Sequence, residues 1–171
     1  MTQGMRVLVV DGDANTRLAL GSILKFLGAA VVLCGSSRQA RSRLTGDVPK
    51  FDCTLMSKDL ADGDGVELLV LMARWRSGGK RVLMCEEPPV REALPMEVEA
   101  ILPAPARLDD VAHVLFRLGL LSTQQLYDRG LRHITEPPGG GRTGGADREA
   151  LRLRPADPLT SPRGALPAWV P

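Results

Sequence analysis

VLVVDGDANTR, residues Val7 to Arg17, carries an apolar run into two carboxylates separated by a single glycine. The run reads as a strand. Asp13 stands where a helix N-cap belongs, and from Asp13 to Gly28 the residues Leu18, Leu20, Ile23, Leu24 and Leu27 cluster toward one helical face. The stretch is therefore a strand, a short loop and a helix, with Asp11 at the turn between them. Two chemistries fit the acids. They are either a catalytic Asp-x-Asp pair, or what remains of an acidic pocket that has lost its second member.

The same alternation continues outward from this unit. AAVVLC is a second strand, and Ser36 or Ser37 caps a helix running through Leu44 with arginines on its outward positions. FDCTLM is a third, buried strand that ends at Ser57. The loop KDLADGDG leads into the helix VELLVLMARWR, which stops at Gly78 and Gly79. RVLMC and EAILP are the fourth and fifth strands. Between them, Pro88, Pro89 and Pro95 leave room for little more than one turn of a fourth helix. Asp109 to Leu121 is a strongly apolar helix, and Ser122 and Gln125 are spaced as a capping box for one more short helix. Five strands alternating with helices predict a doubly wound α/β sandwich, whose crevice lies beyond the carboxyl ends of the strands.

Composition sets the boundaries and narrows the function classes. A chain of 171 residues suits one domain with an extension. The reading divides it into a domain at 1–121, an additional helix at 122–135 and a Pro/Gly-rich tail at 136–171, whose composition predicts disorder. The tail ends in ALPAWVP, where Trp169 offers an apolar contact for a partner. With 22 basic residues against 20 acidic ones, the formal charge of +2 gives no field to gather nucleic acid or anionic lipid. Cys34, Cys53 and Cys85 share no ligand spacing and read as buried thiols. No apolar run reaches membrane-spanning length, and a cytoplasmic location is expected.

The residues at the strand ends are the informative ones: Asp11, Ser57, Glu86 and Ala104. Their order, the VLVVD opening, the spacing from Asp52 through Ser57 to Gly65 and the Ala104-Pro105 pair resemble a response-regulator receiver domain over about Met5 to Leu121. The resemblance implies a flavodoxin-like five-stranded parallel sheet. It also implies a pocket in which two adjacent acids and a third-strand aspartate hold Mg²⁺ and that aspartate accepts a phosphoryl group. A Thr or Ser after the fourth strand and a Lys before the fifth-strand proline then bind the phosphoryl oxygens. Only Asp11 matches. The second acid falls on Gly12, the acceptor on Ser57, the hydroxyl on Glu86 and the lysine on Ala104. Mg²⁺ wants several oxygen ligands, and a serine hydroxyl without a base or metal beside it is a weak nucleophile.

The implied function is that of a stand-alone pseudo-receiver in two-component signalling or a phosphorelay. It has no enzymatic activity and no cofactor, and it acts on a protein partner without phosphorylation. Val111, Leu115 and Leu118 on the apolar last helix, with Trp169 in the tail, are expected to form the partner surface, and either the short helix that follows, with Leu126 and Tyr127, or a second subunit would cover part of the same helix. Two rival readings stand beside it. In the first, a displaced acid, Asp59, takes the phosphoryl group. In the second, DGDAN resembles the start of haloacid-dehalogenase-like phosphatases, with Asp11 as nucleophile and Asp13 as general acid. Asp13, Asp59, Asp62 and Asp64, together with Asp11, are also weighed as a rebuilt cation site. Against this stand a capping role for Asp13 and a solvated loop for Asp59, Asp62 and Asp64.

Overall fold

The computed structural model describes residues 4–45, 50–87, 89–90 and 93–135. Its centre is a five-stranded parallel sheet of β1 (Arg6–Val10), β2 (Ala30–Cys34), β3 (Cys53–Ser57), β6 (Lys80–Cys85) and β7 (Ala100–Pro103), ordered β2-β1-β3-β6-β7. The order reverses between β1 and β3, which puts the switch point of the sheet beside Asp11. Within the stretch expected as loop, two short strands, β4 (Asp59–Leu60) and β5 (Gly63–Asp64), form a small antiparallel hairpin after β3.

Alternation along the strands sorts the core into two layers, as expected for a sheet buried on both faces. Val7 and Val9 of β1, Cys53 and Leu55 of β3, and Val82 and Met84 of β6 share one cluster with Leu20 and Leu24 of α1 (Ala14–Phe26) and Leu115 of α4 (Leu108–Arg117). On the other face, Leu8, Val10, Met56 and Leu83 meet Ala40 of α2 (Ser37–Thr45) and Leu68, Leu69 and Met72 of α3 (Gly65–Arg74).

The last helices correct part of the sequence reading. The helix expected to reach Leu121 stops at Arg117, because Gly119 adopts φ +74°. There the Leu120 N–H returns to the Leu115 carbonyl, which closes the helix in a Schellman turn. The Ser122–Gln125 capping box forms as expected, with reciprocal bonds of 3.2 and 2.8 Å, and starts α5 (Thr123–Asp128). Leu126 of α5, with Leu131 and with Ile134 of the 3₁₀ turn Arg132–Ile134, joins the same cluster as α1 and α4.

Val111 and Leu115 are therefore not a partner surface. They are 1% and 0% exposed in the domain's own core, and Leu118 is packed against that core. The apolar excess of the helix is met by α5 from the same chain. Trp169 and the tail lie outside the described residues. Between β6 and β7 the chain makes single turns, with the Ala93 N–H bonded to the Val90 carbonyl at 2.9 Å and the Val98 N–H to the Pro95 carbonyl at 3.1 Å, in keeping with the little more than one turn that the prolines leave room for.

Candidate functional site

The register of the sheet brings the four strand-end residues to one edge. Val10 pairs with Met56, Ser57 with Met84, and Cys85 with Pro103, so Asp11, Ser57, Glu86 and Ala104 follow at the carboxyl ends of adjacent strands. Asp11 is 9% exposed, and its carboxylate accepts the Asp13 N–H at 2.7 Å. Gly12 is exposed, with nothing within 4 Å of where a Cβ would stand. Ser57 is half-buried, and its hydroxyl faces the main-chain oxygen of Asp59 at 3.4 Å. Glu86 is exposed. Ala104 donates its N–H to the Cys85 carbonyl at 3.0 Å and precedes Pro105 through a cis peptide.

The aspartates weighed as a cation site are mostly spent on helix ends. Asp13 caps α1, accepting the Thr16 N–H at 2.7 Å. Asp64 caps α3, accepting the N–H groups of Val66 and Glu67. Asp62 reaches across the fold to α2, where its two oxygens accept the N–H groups of Ser37 at 2.8 Å and Arg38 at 3.0 Å. Each carboxylate satisfies donors that a helix N-terminus leaves without internal partners. Asp59 stays exposed at the start of the hairpin, opposite Asp64. Among the described residues, no three His, Cys, Asp or Glu side chains form a group that would hold a metal ion. At the three positions that the resemblance assigns to Mg²⁺, residues 11, 12 and 57, Asp11 supplies the one carboxylate, beside Gly12 and Ser57.

Arg17, which the sequence reading passed over, brings a cation to this loop. Its Nη1 donates to the main-chain oxygens of Asp11 at 2.7 Å and Gly12 at 3.0 Å. A guanidinium thus sits on the backbone of both residues that follow β1. The signal was faint: an arginine in the first turns of a helix that begins just past a strand end.

Two of the caps make a pH prediction. The carboxyl of Asp13 is held below the usual carboxylate range, chiefly by the Thr16 N–H, and that of Asp62 by the N–H groups of Arg38 and Ser37. Both groups bind a proton less readily folded than unfolded. Their contribution is complete above the unfolded value, about pH 4, and is lost as pH falls through the lowered folded values. Amide exchange, corrected for intrinsic rates, should show the N–H groups of Thr16, Ser37 and Arg38 less protected near pH 3 than near pH 6. Equal protection at both would show that the ionised caps do not hold these turns.

No protein-family model matches the chain, and no curated protein matches it. Solved structures do match. A CheY-like response regulator receiver domain from Methanospirillum hungatei has a TM-score of 0.61 at 22% identity, covering 74% of this chain and 99% of that one. A two-component response regulator from Clostridium difficile has a TM-score of 0.59 at 24% identity, covering 67% and 96%. A chemotaxis response regulator of Vibrio cholerae has a TM-score of 0.58 at 16% identity, covering 70% and 100%. The fold is that of receiver domains.

Proposed function

We propose that this chain is a receiver-like signalling module that works through protein contact and does not accept a phosphoryl group at the end of its third strand. The observation that carries this reading is Ser57, which occupies the carboxyl end of β3 with no carboxylate to attack phosphorus. A serine hydroxyl needs a base or metal beside it to serve as nucleophile, and the Ser57 hydroxyl faces a main-chain oxygen. Around it, Glu86 brings a negative charge where a phosphoryl oxygen would need a donor, and Ala104 brings none. The phosphatase reading asks Asp13 to deliver a proton from a carboxyl whose ionised form caps α1, which speaks against it.

The test uses backbone amide spectra of the full chain during addition of Mg²⁺ and beryllofluoride, which mimics an aspartyl phosphate. The expected result is no metal-dependent shift at Asp11, Gly12, Ser57 or Asp59. A saturable shift centred on Asp59 would revive phosphotransfer at the displaced acid, and one centred on Asp11 and Asp13 the phosphatase. The chain carrying Gly12→Asp, Ser57→Asp, Glu86→Thr and Ala104→Lys should gain the Mg²⁺-dependent response. The open space at Gly12 admits the first of these changes.

A further inference from the structure

The edge of the sheet at β2 holds a second feature, distinct from the strand-end crevice described above. An open concavity of about 440 Å³ lies between the end of β2 and α2, lined by Leu33, Cys34, Arg38, Gln39, Ser42 and Arg43. That volume falls in the range of small-molecule sites. Its lining contains no acid. Among the described residues, neither Arg38 nor Arg43 forms an ion pair. Gln39 accepts the Gly35 N–H through Oε1 at 2.7 Å, which leaves its Nε2 as the free, donating end. Ser42 adds a hydroxyl. The nearby acid, Asp62, is held by main-chain N–H groups at the start of α2.

Leu33 is 39% exposed, and its methyls turn toward Gly21 of α1, on the face of the sheet opposite α2, so the donors on α2 make up the working part of the lining. Cys34 forms the floor, where burial pushes its thiol up while the positive charges of Arg43 and Arg17 act in the opposite direction. Positive field and forked donors therefore meet in one place.

We propose that this concavity binds the phosphate group of a small phosphorylated molecule, gripped by the guanidinium groups of Arg38 and Arg43 with Gln39 and Ser42 as further donors. A carboxylate would leave much of this donor set unused. A phosphate monoester offers three terminal oxygens and close to two negative charges, which suits two guanidinium forks and two neutral donors. The site would give a domain without phosphotransfer chemistry an input of another kind, and it stands whether or not the proposed function holds.

The experiment titrates the full chain with pyrophosphate and, separately, with adenosine monophosphate, at ionic strength held constant with chloride. Saturable amide shifts at Leu33–Gly35 and Arg38–Arg43 are the expected result with either probe. Arg38→Gln with Arg43→Gln should weaken binding about tenfold for each guanidinium removed. Both arginines are exposed, so the doubly substituted chain should melt as the parent does. Arg41→Gln, on the same helix but outside the concavity, should bind as the parent does. Shifts that never saturate, or that spread equally over Arg74, Arg107 and Arg117, would overturn the site. Undiminished affinity in the doubly substituted chain would do the same.

Discussion

Gly65→Ala should cost the fold on the order of 3 kcal/mol, a large part of the stability of an ordinary domain. Gly65 opens α3 directly behind the last residue of β3. A Cβ there would stand 1.9 Å from the main-chain oxygen of Ser57 and 2.9 Å from its carbonyl carbon. The obstacle is backbone, and the Gly65 N–H is itself bonded to the Lys58 carbonyl at 2.8 Å, so no side-chain rotation relieves the overlap. Urea unfolding would read the change as a lower midpoint. Gly12→Ala, at a position with open space, supplies the contrast and should stay within about 0.5 kcal/mol of the parent. Equal midpoints for the two substitutions would mean that the turn from β3 into α3 is not tightly packed.

Leu126→Ala should cost about 2–5 kcal/mol, as truncating a fully buried leucine does. Leu126 is 0% exposed, although it belongs to a helix of six residues that follows an otherwise complete sheet. It lies in one cluster with Leu24 and Leu27 near the end of α1 and with Val114 and Leu115 of α4. The neighbouring Tyr127 is 42% exposed, and its ring lies under Arg132 at 5.3 Å. Tyr127→Ala should cost no more than about 1 kcal/mol. A small loss at Leu126 would show α5 to be an appendage rather than a part of the core.

The strands and most caps were legible because they are local. An apolar run needs no partner to be recognised, and Asp13 stands three residues from the N–H it holds. The capping box at Ser122 and Gln125 was readable for the same reason. Long-range choices were not legible. Asp62 looked like a solvated loop acid, because the helix it caps begins 25 residues earlier in the chain. Val111 and Leu115 were assigned to a partner surface because periodicity shows which side of a helix is apolar but not what covers it. At the candidate site, the residue types at the strand ends were visible in the sequence. The placement of Arg17 on the loop after β1 depended on a side-chain orientation that no pattern records.

The bond from Arg129 of α5 to the main-chain oxygen of Phe26, 2.8 Å long across 103 residues of sequence, bears on the order in which the molecule is assembled as it is synthesised. The layer containing α2 and α3 draws its members from Leu8 to Val98. The layer containing α1 and α4 needs everything from Val7 to Ile134. On the ribosome, one side of the sheet can therefore close while the other waits, with the carboxyl end of α1 left open until its last partners emerge from the exit tunnel. A nascent chain halted just short of α5 would present that uncovered leucine layer to chaperones.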